Sequence, residues 1–159
     1  MADWTALLQN PPAELVVIYD VGDEDGFHPD GRTLLTVRAD RSVDLDNPTH
    51  GHRFQWSARL TTSAWDDLRA ALRNAGFPTA PPSPAMVPPD ETFRVLSVRS
   101  GKNIATVTIP WHEVAKLPLW KPVFEILDST VAQTSQGKRT SYPDRRPGVV
   151  SDVVYRGGS

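Results

Sequence analysis

The chain has 159 residues, no cysteine and a formal net charge of −2. The lack of cysteine excludes disulfides, thiolate nucleophiles and cysteine-ligated zinc or iron–sulfur sites. Hydrophobic residues make up 39% and charged residues 23%, which is typical of one soluble globular domain. The N-terminus lacks the apolar segment of a signal peptide and no apolar run suits a membrane span, so we expect a cytoplasmic protein with no membrane partner.

The charges are unevenly distributed along the chain. Five of the 17 basic and two of the 19 acidic residues lie from Ser135 onward, which leaves 12 basic and 17 acidic residues before it. Such an acidic body argues against nucleic acid as its partner, because phosphates require a basic face. We therefore predict a single domain over 1–134 and a basic flexible tail, disordered or ordered on a partner, over 135–159.

The first part of the chain predicts a short helix and then strands. Residues 1–12 predict a helix that ends at two prolines, and "ELVVIYDV" at 14–21 predicts a strand. "GRTLLTVRADRSVDLDNP" at 31–48 predicts a hairpin, and "RFQWSARLT" at 53–61 a further strand in which apolar and polar residues alternate. This period of two is typical of an antiparallel sheet with one face in water.

The second part predicts two longer helices around another hairpin. "TTSAWDDLRAALRNAGFP" predicts a helix capped by Ser63 and ended at Gly76. After a proline-rich connection at 79–91, the segment 92–111 predicts a hairpin with "SGKN" as its turn, and a last helix begins near Lys121. We therefore expect an α+β fold: an antiparallel sheet of about five to six strands with two helices packed on one face.

The stretch "YDVGDEDGFHPDG", residues 19–31, is the most acidic segment. As a calcium loop it would place Val21 at the first ligand and Arg32 where glutamate is required. A catalytic role for Asp20 lacks an accompanying nucleophile. The simplest interpretation is a solvated turn, and the alternative is a loop that binds a partner protein through its acidic residues, namely Asp23, Glu24, Asp25 and Asp30.

Two histidines occur in "THGHRF". His50 and His52 would face the same side of a strand and could share a metal if Asp46 or His28 supplied a third ligand. The simpler interpretation is a pair of surface histidines. No G-x-S-x-G, P-loop or G-x-G-x-x-G motif is present, so we predict no catalytic residue and no cofactor, with a metal-dependent enzyme at His50 and His52 as an alternative.

Tryptophans offer candidate binding residues because tryptophan is enriched in interface hot spots. Trp56, Trp65 and Trp120 fall at positions that face the core of the predicted elements. Trp4 and Trp111 could each be an exposed anchor or could cover the edge of the sheet. Trp111, beside His112 and Glu113 at a strand-to-helix corner, is included among the predicted partner-binding residues.

A resemblance to known proteins rests on the order of these elements. "SAWDDLRAALRNAGFP" is preceded by strands and followed by "TFRVLSVRSGKNIATVTIPW" and a last helix. Over residues 31–132 this arrangement resembles small bacterial inhibitor or immunity-type α+β proteins, in particular the emfourin-like metalloprotease inhibitors, whose helix ends in a similar "AGF". The resemblance implies a protein that binds and neutralises another protein.

The leading hypothesis from the sequence is a non-catalytic module that binds another protein through acidic loops, which steer a basic partner electrostatically. A third hypothesis, beside the binding module and the metal-dependent enzyme, is a structural subunit of a larger assembly whose tail becomes ordered on a neighbouring subunit. That tail would use its four valines, Val149, Val150, Val153 and Val154. The oligomeric state is not predicted.

Overall fold

The computed structural model describes residues 2–22, 32–49, 52–82, 92–135 and 150–158, with only the backbone described for 49, 52, 53 and 150–158. Three α-helices, one 3₁₀-helix and seven strands are present in these residues. The helices are α1 (Trp4–Gln9), α2 (Thr62–Ala75), the 3₁₀-helix η1 (Trp111–Lys116) and α3 (Lys121–Thr134). The strands are β1 (Val16–Val21), β2 (Thr33–Arg38), β3 (Ser42–Thr49), β4 (His52–Leu60), β5 (Phe93–Ser100), β6 (Asn103–Pro110) and β7 (Val150–Gly158).

The strands form one sheet in the order β6-β5-β1-β2-β3-β4-β7. Every neighbouring pair is antiparallel. The predicted α+β class is therefore confirmed, with six strands drawn from the predicted body. The seventh strand, β7, lies in the predicted tail. It pairs with β4 and forms one edge of the sheet. The predicted flexibility of 136–149 falls on residues outside those described and stays a prediction.

The core lies between one face of the sheet and the helices. Alternate strand residues, such as Val17 and Tyr19 of β1 and Leu35 of β2, are completely buried. They join α2 and α3 residues in one cluster, in which Leu68 and Phe124 are 1% exposed. Burying each such side chain contributes about 1.5–3 kcal/mol. Both long helices thus pack on the same face of the sheet, as predicted.

Helix α2 is delimited by local signals at both ends. Thr61, not the predicted Ser63, is its N-cap, and its Oγ1 accepts a hydrogen bond from the Ala64 amide at 3.1 Å. The helix begins earlier than predicted because this hydroxyl satisfies an otherwise free amide of the first turn. At the other end Gly76 has a φ of 84°, a left-handed conformation that suits glycine. The predicted C-terminal cap is therefore confirmed.

The second hairpin and the last helix also follow the predicted pattern. β5 and β6 pair from Ser100 and Asn103 outward, and Gly101 in the turn has a φ of 59°. Helix α3 starts at Lys121, with a proline in its first turn where a missing amide hydrogen costs little. Within the described part of the chain, no helix combines the length and apolar character needed to cross a bilayer.

Candidate functional site

The most distinctive surface is the side of the sheet opposite the helices, called here the uncovered face. It consists of the described even-numbered side chains of β1, β2, β3 and β6 and the odd-numbered ones of β4 and β5, because successive residues of a strand point to opposite sides. The buried core cluster contains none of these side chains. Among the described residues, therefore, no helix packs on this face.

Apolar side chains occupy the middle of the uncovered face. Ile18 of β1, Leu34 of β2 and Val95 of β5 are each partly exposed. The register places Asp20 of β1 between Leu34 of β2 and Val95 of β5. Phe93 is 40% exposed and lies next to Val95 on this face of β5, whereas Ile104 of β6, 61% exposed, lies at the other end of the hairpin, opposite Arg99. Grouped apolar side chains of this kind on a sheet surface are a mark of interaction sites.

An open depression of about 220 Å³ lies beside these residues on the β2–β4 part of the face. Small-molecule sites typically have volumes of about 300–1,000 Å³. The depression is therefore better matched in size to a side chain of a partner than to a cofactor. Its lining combines apolar and polar residues, namely Leu34, Thr36, Asp44, Leu45, Asp46 and Gln55.

Two ion pairs order the charged side chains of this face. Asp20 accepts hydrogen bonds from Arg32 Nε at 3.0 Å and Nη2 at 2.8 Å, a bidentate arrangement. Asp44 lies 2.7 Å from Arg38 and accepts a hydrogen bond from the Ser57 hydroxyl at 2.9 Å. Because each of these two acids is balanced by an arginine, this part of the face has a fixed, mixed pattern of charge.

A second polar cluster lies on the opposite, helix-covered side of the sheet and is called here the buried ion cluster: Tyr19, Arg94 and Asp128. Arg94 donates to the Asp128 carboxylate at 2.8 Å and also to the Tyr19 hydroxyl, which in turn donates to Asp128 at 2.7 Å. The side chains of Arg94 and Asp128 are only 8% and 15% exposed. This cluster joins β1, β5 and α3, so its geometry positions α3 on the sheet.

Trp111 covers this buried ion cluster. The Arg94 guanidinium carbon lies 3.7 Å from the centroid of the Trp111 ring, a cation–π contact. The ring is partly buried against the core. One face of the predicted anchor is therefore occupied by Arg94, and its role in binding a partner stays a prediction. Trp4, for which an exposed anchor and a covering role were both left open, is 8% exposed and packs edge-on against Phe77, so it is not an exposed anchor.

The buried ion cluster was not predicted from the sequence. A signal was present, because Arg94 shares the inward parity of Leu96 and Val98 in β5. Asp128 follows Phe124 by four residues, which places the two on one side of a helix. A buried arginine and a buried carboxylate at these positions require each other as partners.

The other predicted site residues lie outside the part of the chain whose side chains are described. Asp23, Glu24, Asp25 and Asp30 fall within 23–31, and His50 at the β3–β4 connection, outside the described residues. His52 begins β4, but its side chain is not described. The acidic loop and the histidine pair therefore stay predictions. Over the residues that are described, no three His, Cys, Asp or Glu side chains cluster in a way that could hold a metal ion.

Comparison with known proteins adds no assignment. The chain matches no known protein family and no curated protein. The resemblance to emfourin-like inhibitors stays a prediction from the order of the elements.

Proposed function

We propose that the chain is a non-catalytic protein-binding module that presents the uncovered face of its sheet to another protein. The observation that carries this proposal is the position of Ile18, Leu34 and Val95, which are apolar and partly exposed at the centre of that face. Apolar residues surrounded by polar ones are typical of protein–protein interfaces. A partner would remove these side chains from water, and the surrounding hydroxyls and ion pairs would set its orientation.

The rigidity of the face supports the same proposal. The central strands are paired on both sides, and the Asp20–Arg32 and Asp44–Arg38 pairs hold charged side chains in place before any partner arrives. A surface that is ordered in advance loses less conformational entropy on binding. The depression of about 220 Å³ offers room for one side chain of a partner.

The charge of the chain favours a basic partner. Before Ser135 the chain carries 17 acidic and 12 basic residues, and four of the acids form the predicted loop of Asp23, Glu24, Asp25 and Asp30. An acidic protein attracts a basic one at long range and accelerates its association. An inhibitor or immunity-type protein that neutralises such a partner is the specific activity we propose.

The experiment that tests the binding surface compares two arginine substitutions in the full chain. Leu34→Arg places a charge at the centre of the uncovered face, whereas Leu119→Arg places the same charge at an exposed leucine between η1 and α3. Wild-type protein is used to capture its partner from the cells that produce it, and the partner is identified by mass spectrometry. Leu34→Arg should then bind that purified partner at least tenfold more weakly, and Leu119→Arg should bind it as the wild type does.

Circular dichroism of both variants provides the control for folding. If folded Leu34→Arg bound the partner as tightly as wild type, the uncovered face would not be the binding surface. The charge argument has its own test, because the association rate constant should fall as salt rises. A rate constant that is the same at low and high salt would contradict the choice of a basic partner but leave the binding surface intact.

A further inference from the structure

The outer edge of β6 has an unusual composition for the end of a sheet. The strand reads "NIATVTIP" and contains no charged residue. Its eight pairs with β5 follow one continuous register, whereas the pairing of β4 with β7 at the other end contains two shifts. Proteins usually protect an edge strand with lysine, an internal proline or a bulge. β6 has only Pro110, at its last position, and among the described strands none pairs with its outer side.

The orientation of the β6 backbone follows from one hydrogen bond. The Trp111 amide donates to the Thr92 carbonyl, at the β5 side, at 2.8 Å. Because backbone groups alternate in direction along an antiparallel strand, Ile109, Val107 and Ala105 also direct their amides and carbonyls towards β5. The amides and carbonyls of Ile104, Thr106 and Thr108 must therefore point outward, away from the sheet. Their side chains are all exposed.

This outward set is complementary to itself. Suppose that a second β6 lies antiparallel to the first, with Thr106 opposite Thr106 of the copy. Ile104 of each chain then lies opposite Thr108 of the other chain. Each of the three outward amides then meets a carbonyl of the other strand. Pro110, which lacks an amide hydrogen, falls beyond these pairs. On the helix-covered side Ala105 lies opposite Val107 of the copy. Because β6 contains no charged residue, no like charges face each other along the two strands.

We propose that β6 pairs antiparallel with β6 of a second copy of this chain, with Thr106 on the two-fold axis. The two seven-stranded sheets then become one continuous sheet, and their uncovered faces lie side by side. The interface is isologous, since the same strand serves both copies. Dimerisation is independent of the proposed function and can fail without affecting it.

The test measures the mass of the full chain by sedimentation equilibrium over a wide range of concentrations. Wild type should shift from the 17.6 kDa monomer to twice that mass as concentration rises. Thr106→Pro removes the central outward amide and spares the backbone hydrogen bonds to β5, although it loses the side-chain hydrogen bond between Thr106 and Ser97, as Thr106→Val also does. It should therefore remain monomeric. Thr106→Val, which keeps the amide and the branched side chain, is the matched control and should dimerise like wild type.

A charge exchange tests the register and guards against a poorly folded proline variant. Thr106→Lys and Thr106→Glu should each be monomeric alone, because like charges meet on the axis, and should form a heterodimer when mixed. Wild type that stays monomeric at every concentration would overturn the proposal. So would a dimer that persists in Thr106→Pro and in Thr106→Lys alone, because β6 could then not be its interface.

Discussion

The two faces of the sheet are built from the same strands but differ in burial and in the exposure of their ion pairs. Leu35 is completely buried beneath the helices, whereas its neighbour Leu34 is partly exposed on the uncovered face. The same contrast holds for charge, since the Arg94–Asp128 pair is largely buried and the Asp20–Arg32 pair is 29% to 42% exposed. Substitutions at adjacent residues of one strand can therefore separate the stability of the fold from the binding that we propose.

The largest expected effect compares the two ion pairs. Asp128→Ala leaves the Arg94 guanidinium buried without its carboxylate, so we expect a loss of about 3–5 kcal/mol in the free energy of unfolding. Asp20→Ala leaves Arg32 near solvent and should cost about 0–1 kcal/mol. Urea denaturation of both variants and wild type measures the difference. Equal losses would show that the two pairs do not differ in their contribution to the fold.

The second effect compares neighbouring leucines with the same substitution. Leu35→Ala opens a cavity in the core and should cost about 2–5 kcal/mol. Leu34→Ala removes the same atoms from a partly exposed side chain and should cost at most about 1 kcal/mol. The free energies of unfolding from urea titrations provide the comparison, and a loss at Leu34 as large as that at Leu35 would mean that the uncovered face is part of the core.

The smallest effect concerns the turn between β2 and β3, which borders the uncovered face. Hydrogen bonds from the side chain and backbone of Ser42 lower the pKa of Asp40, and the positive charges of Arg59 and Arg38 lower it further. A lowered pKa in the folded state stabilises the fold above the unfolded pKa, near 3.9, and this contribution is lost as pH falls through the folded value. Asp40→Asn should therefore have a slightly smaller free energy of unfolding than wild type at neutral pH. This difference in stability should disappear in acid.

NMR titration of the Asp40 carboxyl carbon checks this prediction directly. Ser42→Ala removes the side-chain hydrogen bond and should raise the pKa of Asp40 towards its ordinary value. An unchanged pKa in Ser42→Ala would assign the shift to the backbone amide of residue 42 and the two arginines instead.

How much of this arrangement could be predicted depended on the strength of local patterns. The alternation in β4 and the cap at Gly76 were readable because each follows from the local chain geometry. The exposed side of β2 was readable in the same way, since Leu34 falls on the same side of the strand as Thr36 and Arg38, but its position beside Ile18 and Asp20 depends on the pairing of β1 with β2. The ion pair between Arg94 and Asp128 joins residues 34 positions apart, a separation that no local pattern reveals.

Methyl cross-saturation NMR of the complex with the captured partner tests the central claim most directly. Irradiation of the partner should attenuate the methyl signals of Ile18, Leu34 and Val95 on the uncovered face. Their neighbours Val17, Leu35 and Leu96 lie on the helix-covered side of the sheet, so the methyl signals of these residues should keep their intensity. Attenuation confined to residues away from the uncovered face, such as Leu119, would contradict the account.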